Sequence, residues 1–414
     1  MTATLSSRRR DEPIAITGIG AVSPLGSSFT AIADSLLAGR SGVRAVAIAA
    51  DARDRQFAAP VEEIPPPPAD TVAVDAAAFA GLPRLVQVCV SPVAHAVADA
   101  GVAPLRDRLR IGVALGVGAE LLKAWEADFL AGGTEVFAPA QDETLVHQAA
   151  RLTGLRGPAV TVAAACASSG YAMAIGREWI RAGWVDACVV GGCDVLGPTA
   201  IAAFYNLRAL SRRSDDPSKA SRPFDRDRDG FVMGEGGVAL VLEPRSAAHE
   251  RGTRVYGELA GVGMSSDAAH MVTPCSDPVQ ATRAIERALA DAGVAADELD
   301  YVNAHAAGTP VGDVAEAAAI RRALGAAADR VPVSSTKSMS GHLISAAAAF
   351  EAVACLAAID RQAVPPTTNL DTPDPECPLD HVPHVARPRR VTVTASNSFG
   401  FGGSNLCLVI RKAA

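Results

Sequence analysis

The sequence predicts an α/β protein made of two similar halves, each with a sheet covered by helices. Strand-like and helix-like segments alternate along most of the 414 residues, which is typical of parallel strands joined by helices. A pattern of strand, small-residue turn and long helix occurs twice, at 160–182 and at 331–359. The chain is also longer than a single hydrophobic core usually supports. A duplicated α/β architecture accounts for all three observations.

The first half is expected to span residues 1–254. Apolar runs and helical periodicities predict, in order, a strand at 14–26 that ends in a glycine turn, helices at 30–38 and 84–101, a strand at 110–118, a helix, a strand at 159–164, a helix at 170–182 and a strand at 187–195. The proline-rich segment 61–70 is expected to be a surface loop. A dinucleotide-binding motif in the first strand is disfavoured, because the third glycine falls at Gly26 and Pro24 interrupts the turn.

The second half is expected to span residues 255–414. It begins with "VYGELAGVGMSSD" (255–267), whose glycine-broken strand resembles the one near the N-terminus. It ends with 391–410, where two strands flank a glycine-rich turn, as 187–195 and the residues after it are expected to do. The correspondence is one of pattern and not of identity, so it predicts the architecture alone.

Composition and charge exclude several classes of function. The net charge is −7 and the basic residues are scattered, which argues against nucleic-acid binding. No apolar run reaches the roughly 18 residues of a membrane span. The arginines near the N-terminus are not followed by the apolar segment of a secretory signal, so we expect a cytoplasmic protein. The 8 cysteines include no CxxC pair and are expected to be free thiols.

Cys166 is the first candidate for catalysis. If a strand ends near Ala164 and a helix starts around Ser168, the thiol lies beside the helix N-terminus, where unpaired N–H groups and the dipole stabilise a thiolate. Its small neighbours leave space for a substrate carbonyl. A packed core cysteine is the alternative interpretation, so a catalytic role requires a partner base.

Two histidines could supply that base. His305 follows an apolar strand, and His342 opens the second strand, turn and helix unit. Since sites in open α/β sheets lie beyond the carboxyl ends of strands, Cys166, His305 and His342 converge if the two halves pack face to face. Each histidine alone could be structural. The same segments carry charged residues that could orient the imidazoles or could form exposed ion pairs instead: Lys337, Glu351, Asp313 and Glu316.

The glycine-rich segment "NSFGFGGSN" (397–405) could complete the site. Its glycines allow close backbone approach, so its N–H groups and that of Cys166 could form an oxyanion hole. An ordinary glycine-rich hairpin is the alternative. A cysteine protease would need one histidine and an orienting Asn or Asp, whereas a second histidine indicates a second carbonyl oxygen. A thioester enolate from a malonyl unit provides that oxygen, which favours carbon–carbon bond formation through an acyl-cysteine.

The sequence resembles the β-ketoacyl-acyl carrier protein synthases, the elongating condensing enzymes of the thiolase superfamily. The resemblance covers nearly the whole chain and rests on "ITGIGAVSPLG", "GLRGPAVTVAAACASS", "SRPFDRDRDGFVMGEGG", "SSDAAHMVTP", "YVNAH", "SSTKSMSGHL" and "NSFGFGGSN". It implies the thiolase-like, duplicated, five-layered α-β-α-β-α fold, usually as a homodimer with pockets near the interface. It implies acyl carrier protein as partner and no cofactor or metal ion, because the substrates carry phosphopantetheine.

The resemblance also implies roles for individual residues. Cys166 matches the nucleophile that accepts the acyl group, and its presence argues against the chain-length-factor branch. His305 and His342 match the pair that promotes malonyl decarboxylation and stabilises the enolate. The remaining matches are Lys337 with its ionic partner Glu351, the gating Phe401, Thr309 toward phosphopantetheine, and Arg208 toward the carrier. Phe399 in the same segment is a further candidate for the gate, and Asp313 and Glu316 are candidates for supporting carboxylates from their place after His305.

Three departures from the family pattern stand out. "HAAGT" (305–309) places Ala307 where relatives commonly have a hydroxyl, which would weaken substrate positioning by about 1 kcal/mol. In "GHLISAAAA", Ser345 and Ala348 replace glycines. The helix that usually offers basic residues to the carrier, at 78–88, has only Arg84. These features favour a specialised synthase of secondary metabolism or unusual lipids.

Other functions remain open at this point. They are a non-catalytic partner subunit, a coenzyme A dependent acyltransferase or thiolase-like enzyme, and, more remotely, a nicotinamide oxidoreductase. The stretch 119–143 is expected to form part of the pocket wall at the dimer interface.

Overall fold

A computed structural model describes residues 12–47, 57–118, 120–133, 143–213 and 215–413. Among these residues, no helix is both long and apolar enough to pass through a bilayer.

The described chain contains fifteen strands in chain order. They are β1 Ile14–Val22, β2 Arg44–Ala45, β3 Phe57–Ala58, β4 Ile111–Gly116, β5 Ala159–Val162, β6 Ala187–Asp194, β7 Gly236–Pro244, β8 Gly257–Ser266, β9 Tyr301–Asn303, β10 Pro332–Ser334, β11 Ala363–Val364, β12 Asp380–His381, β13 Arg387–Pro388, β14 Val393–Gly400 and β15 Ser404–Arg411.

Twelve α-helices lie among the described residues. They are α1 Phe29–Leu37, α2 Ala76–Ala80, α3 Arg84–Asp99, α4 Glu120–Leu130, α5 Leu145–Thr153, α6 Ser168–Arg181, α7 Pro198–Asn206, α8 Arg245–Glu250, α9 Val279–Ala292, α10 Pro310–Leu324, α11 Lys337–Ser340 and α12 Ala347–Arg361. Short 3-10 turns precede two of them, Ala165–Ala167 before α6 and Ile344–Ala346 before α12.

The strand order shows the duplication directly. Eleven strands form one hydrogen-bonded arrangement in the order β12-β10-β9-β14-β15-β8-β1-β7-β6-β4-β5. Counted outward from the centre, β1-β7-β6-β4-β5 mirrors β8-β15-β14-β9-β10, with matching parallel and antiparallel pairs in each set. The two sets meet where β1 pairs with β8 through only two residue pairs. The exact boundary at 254/255 stays a prediction.

Three hydrophobic clusters define five layers. Helices α3 and α5 pack on the outer face of the first set of strands, with Val93 and Val146 against Val113. Helices α9 and α10 pack on the outer face of the second set, through residues such as Ile285 and Ile320. Helices α6 and α12 form the middle layer between the two sets. This is the predicted α-β-α-β-α arrangement.

The sheets differ from the expectation of parallel strands. β14 and β15 are antiparallel because the tight glycine turn after Gly400 leaves no room for a crossover. β6 and β7 are also antiparallel in the other half, although the long segment 195–235 connects them. Each half is therefore mixed, with parallel strands at its edge and antiparallel strands toward the centre.

Most elements expected from the pattern are present with shifted ends. The first strand stops at Val22, where a turn closed by Ser23 and Gly26 begins. The next helix starts at Phe29 because the Ser28 hydroxyl accepts from the Ala31 N–H. Segment 61–70 forms no helix or strand. β7 and α8 were not among the elements that the sequence predicted.

Candidate active site

Cys166 lies in the tight turn between β5 and α6. Ala165, the residue before it, has a left-handed backbone with a φ of 49°. The Ser168 hydroxyl holds the turn, since it donates to the Ala165 carbonyl at 2.6 Å and accepts from the Ala164 N–H at 2.9 Å. The structure thus places the candidate nucleophile at the predicted junction of strand and helix.

The Cys166 sulfur is a thiol in the resting protein. The residue is 7% exposed, and burial raises the pKa of its thiol to about 11, although the Lys337 ammonium and the N–H groups of Phe401 and Cys166 itself act in the opposite direction. The expectation of a stabilised thiolate was wrong. The α-helix begins at Ser168, as expected, but the loss of water around the sulfur outweighs the favourable charges and dipoles.

A segment from the second half approaches Cys166 closely. A side chain at Gly400 would lie 2.7 Å from the Ala164 carbonyl oxygen, so glycine is needed there for steric reasons. This approach brings the Phe401 N–H to the Cys166 sulfur, next to the N–H of Cys166. The two donors support the predicted oxyanion hole.

His342 is fixed by three backbone hydrogen bonds. Its N–H donates to the Val232 carbonyl at 2.7 Å, and its carbonyl accepts from the Gly234 N–H at 2.8 Å. The Ile344 N–H donates to Nδ1 of the ring at 3.2 Å. Because Nδ1 accepts, we assign the ring proton to Nε2. Nε2 is buried and has no hydrogen-bond partner among the described residues, so it is free to donate to a substrate.

His305 follows β9 in a loop fixed by a buried carboxylate. Glu316 of α10 accepts from the N–H of His305 at 2.8 Å and from that of Ala306 at 2.6 Å. The Asn397 amide of β14 donates to the same carboxylate at 3.0 Å. The Nδ1 atom of His305 has no partner among the described residues.

The three candidate catalytic groups meet. The Cys166 sulfur and one ring nitrogen of each histidine lie within 4.8 Å of one another, and the imidazole centroids are 5.4 Å apart with the planes at 81°. Burial, followed by the Lys337 charge, holds the pKa of both imidazoles well below 6.5, and His342 adds to this effect on His305. Both rings are therefore neutral at pH 7.

This cluster is poorly suited to holding a metal ion. A thiolate and two imidazoles are typical zinc ligands, and a ligating histidine usually donates its second N–H to an acceptor. The Nδ1 atom of His342 instead accepts from the Ile344 N–H, which leaves Nε2 protonated. A metal ion bound to Nε2 would require the ring proton to move to Nδ1. The Nδ1–H would then point at the Ile344 N–H, which is unfavourable.

Lys337 and Glu351 form a buried ion pair beneath the cluster. Both side chains are almost inaccessible, and the ammonium bonds directly to the carboxylate. Burial raises the pKa of Glu351, while Lys337 and the Ser398 hydroxyl, 3.3 Å from the carboxylate, lower it. The pairing keeps a cation close to both histidines without leaving a lone buried charge.

Asp313 supports the loop that follows His305. It accepts from the N–H groups of Gly308 at 3.1 Å and Thr309 at 3.2 Å, and from that of Phe224 at 2.9 Å. Burial raises the pKa of Asp313 to about 6 and that of Glu316 to about 7. The two carboxylates touch backbone around the site rather than the imidazole rings.

A cavity of about 290 Å³ leads to the cluster. Cys166, His305 and His342 line its inner end, and Arg208 and Val311 belong to its exposed part. The other candidate site residues that line it are Thr309, Phe399, Phe401 and Glu316. Lys337, Asp313 and Glu351 lie outside its lining.

The segment 221–237, for which the sequence predicts no role, packs beside the site and supports it. Arg228 is buried, lies 2.6 Å from Asp374 and 3.6 Å from Asp313, and donates to the Pro310 carbonyl at 2.7 Å. Phe231 stacks edge-on to His342 with centroids 5.4 Å apart. Charged residues such as those of "DRDRDG" (225–230) are usual in an exposed loop. The glycine-rich residues 231–237 that follow were the one sign in the sequence that this segment is buried.

Two departures from the family pattern have visible consequences. Arg84 binds the buried Glu235 at 2.5 Å and the Val61 carbonyl at 2.8 Å, so its guanidinium is held by these partners although the side chain is 46% exposed. Ala307 packs against Phe231 in a small apolar cluster and lines the cavity.

Residues 119 and 134–142 of the expected pocket wall fall outside the described residues, and α4 does not line the cavity.

Family models match almost the whole chain. The model for the β-ketoacyl synthase N-terminal domain matches residues 11–248, and that for the C-terminal domain matches residues 256–371.

Individual relatives agree with the family models. A 3-oxoacyl-[acyl-carrier-protein] synthase 2 of Synechocystis sp. PCC 6803 is 39% identical over 96% of this chain and 98% of its own length. The tetracenomycin polyketide synthase ketoacyl synthase alpha subunit of Streptomyces glaucescens is 36% identical over 98% of each chain.

A solved structure shows the same fold. It contains a ketosynthase of a type II polyketide synthase, bound to the hexaketide, in complex with its acyl-carrier protein, and it superposes with a TM-score of 0.86 at 29% identity, covering 97% of this chain and 100% of the other. The family models, the near full-length relatives and the shared fold agree, and the chain belongs to the β-ketoacyl synthase family.

Proposed function

We propose that this protein catalyses the decarboxylative Claisen condensation of an acyl thioester with malonyl-acyl carrier protein, giving a 3-oxoacyl-acyl carrier protein in fatty acid or polyketide-type biosynthesis. The observation that carries the proposal is the meeting of one thiol and two neutral imidazoles at the inner end of a cavity. The comparisons support it, since relatives of both biosynthetic kinds align over nearly full length.

The first half-reaction transfers an acyl group to Cys166. His305 takes the thiol proton as the sulfur attacks the thioester carbonyl carbon, because its ring is neutral and the assigned proton of His342 already occupies Nε2. The Phe401 and Cys166 N–H groups receive the oxyanion. The carbon–sulfur bond to the first carrier breaks, and its thiolate takes the proton from His305.

The second half-reaction forms the new carbon–carbon bond. The malonyl carboxylate leaves as carbon dioxide, and its bonding electrons pass into the thioester enolate. His342 donates its free Nε2–H to the enolate oxygen, with His305 beside it. The enolate carbon attacks the acyl carbonyl carbon, the bond to the Cys166 sulfur breaks, and one proton from solvent restores the thiol.

The substrates arrive on phosphopantetheine, and the cavity is the path for that arm. Thr309 lines the cavity and supplies the hydroxyl that remains in "HAAGT" for the phosphopantetheine arm. Arg208 lies in the exposed part of the cavity, where its positive charge can bind an acidic carrier. Phe401 and Phe399 line the inner part and act as the gate. A carrier is present in the related ketosynthase complex, which supports this assignment. We further propose a homodimer that works in the cytoplasm.

The direct test follows acylation of Cys166. Intact-mass measurement after incubation with an acyl-carrier thioester should show one acyl adduct on the wild type and none on Cys166→Ala. Cys275→Ala, which removes the other thiol lining the cavity, is the matched control and should acylate normally. An adduct that persists on Cys166→Ala would overturn the assignment, and a wild type that never acylates would favour a non-catalytic partner subunit.

A further inference from the structure

The turn that carries Cys166 occurs a second time in the chain. Ile344–Ala346 precedes α12 as Ala165–Ala167 precedes α6, and the first residue of each turn is left-handed, with a φ of 48° at Ile344 and 49° at Ala165. Ser345 therefore occupies the position in the second half that Cys166 occupies in the first.

Ser345 is packed beside the nucleophile. The turn 344–346 packs against the turn 165–167 and against the end of β6. Ser345 is fully buried, and its hydroxyl donates to the Asp194 carboxylate at 3.2 Å. Its side chain is thus held at the carboxyl ends of the strands in the first half, next to the turn of Cys166.

Two positions next to Ser345, Gly118 after β4 and Gly192 in β6, have no side chain. A methyl group on Gly118 would lie 2.6 Å from the Ser345 hydroxyl, and one on Gly192 would lie 2.6 Å from its carbonyl oxygen. Ser345 therefore fills space that these glycines leave open. A glycine at 345, as in the pattern of related synthases, would return a volume of about one CH₂OH group to this region.

The acyl group on Cys166 must extend toward this region. Both carriers use the cavity lined by Thr309 and Arg208, so the acyl chain has to vacate it before malonyl-carrier enters. His305 and His342 each bring a ring nitrogen within 4.8 Å of the sulfur, beside that cavity. The turn 344–346, which packs against the turn of Cys166 and the end of β6, offers another direction for the chain, and there Ser345 meets Asp194.

We infer that Ser345, held by Asp194, forms a polar end wall that restricts the acyl group on Cys166 to short chains. The inference rests on the proposed function and adds its substrate class. A longer alkyl chain would meet both the bulk of Ser345 and a hydrogen-bonded hydroxyl and carboxylate that it cannot satisfy. Acetyl and similar short acyl groups stop before the wall.

The experiment compares acylation of Cys166 by acetyl and octanoyl carrier thioesters in wild type, Ser345→Gly and Ser345→Ala. Ser345→Gly should raise the octanoyl-to-acetyl rate ratio by about tenfold or more, as removal of one methylene-sized obstacle does in other pockets. Ser345→Ala keeps Cβ and should give a smaller increase. Ser338→Ala is the matched control, because it also removes a buried hydroxyl, one bonded to the Ser335 carbonyl and the Thr368 N–H.

The outcomes separate the inference from the function on which it rests. An unchanged ratio in Ser345→Gly, with normal acetylation, overturns the role of Ser345 and leaves the synthase function intact. A wild type that takes octanoyl as fast as acetyl also overturns it. Failure of every acyl donor to load Cys166 counts against the proposed function itself. Acetylation rate and thermal melting of each variant show whether its fold is preserved.

Discussion

At the scale of single residues, the protonation states divide the work between the histidines. The Ile344 N–H fixes the tautomer of His342 as a donor at Nε2, whereas the Nδ1 atom of His305 has no hydrogen-bond partner among the described residues. Both rings are neutral at pH 7 because burial and the nearby Lys337 ammonium disfavour a further positive charge. Lys337 therefore acts on the reaction through the imidazoles and does not line the cavity.

The Lys337 charge should determine where activity is lost on acidification. In Lys337→Met combined with Glu351→Gln, the pKa of both histidines rises toward 6.5, because the cation is gone and no lone buried charge remains. Acylation, which needs a neutral His305, should then fail at a higher pH than in the wild type. Single-turnover acylation rates measured across pH locate this acidic limb of the pH–rate profile. Lys412→Met, which removes an exposed cation, is the control and should leave the limb at its original position.

Restoring the missing hydroxyl at 307 should strengthen substrate positioning. Ala307→Thr adds a hydrogen-bond donor to the cavity wall, worth about 1 kcal/mol or roughly a fivefold lower KM for carrier substrates, with kcat little changed. Steady-state kinetics separate the two parameters. Ala307→Val, which has a similar shape without the hydroxyl, is the control. A KM that falls equally in Val and Thr variants would show that packing against Phe231 is responsible.

At the scale of elements, the strand ends could be predicted better than the loops between them. Cys166, His305 and His342 were predicted at strand ends, and the structure brings all three together. The segment 221–237 received no role, because its arginine and aspartates find buried partners far along the chain, such as Asp374 for Arg228. Sequence periodicity reports local structure, and such long-range pairing leaves no local pattern.

Helix α10 should make stability depend on pH through Glu316. Its pKa is about 7 in the folded protein against an ordinary value of 4.5, so folding favours the protonated form. This stabilisation is fully present below pH 4.5 and is lost as the pH rises through 7. Thermal melting from pH 5 to 8 should show a decline that is smaller in Glu316→Gln. The exposed Glu298→Gln is the control, and an identical decline in both variants would contradict the prediction.

At the scale of the whole molecule, the site exists only where the two halves meet. Cys166 comes from the first set of strands, whereas both histidines and Phe401 come from the second. The duplicated five-layered fold was predicted from the repeat and the family resemblance and is confirmed. The mixed character of the sheets was not, because strand direction depends on how segments connect in space and a buried strand has the same sequence pattern in either direction.

One contact between the halves should matter for stability more than for chemistry. Arg177 of α6 is buried and bonds to Asp291 of α9 at 2.7 Å and to the Ala260 carbonyl at 2.9 Å. Arg177→Ala should lower the unfolding free energy by about 2–3 kcal/mol while the folded fraction keeps its acylation rate. Calorimetry and active-site titration measure the two effects. Arg181→Ala, on the more exposed neighbour, should cost less than about 1 kcal/mol.

The repeated turn before α6 and α12 provides a comparison inside a single molecule. The same backbone shape presents a sulfur in one copy and a hydroxyl in the other, yet the hydroxyl is fully buried, is bonded to a carboxylate and lies outside the lining of the cavity that reaches the imidazoles. The surroundings of each turn, and not its backbone shape, therefore determine whether its side chain reacts. The turn 344–346 keeps the backbone geometry of the nucleophile's turn, and its serine limits the length of the acyl group instead of reacting with it.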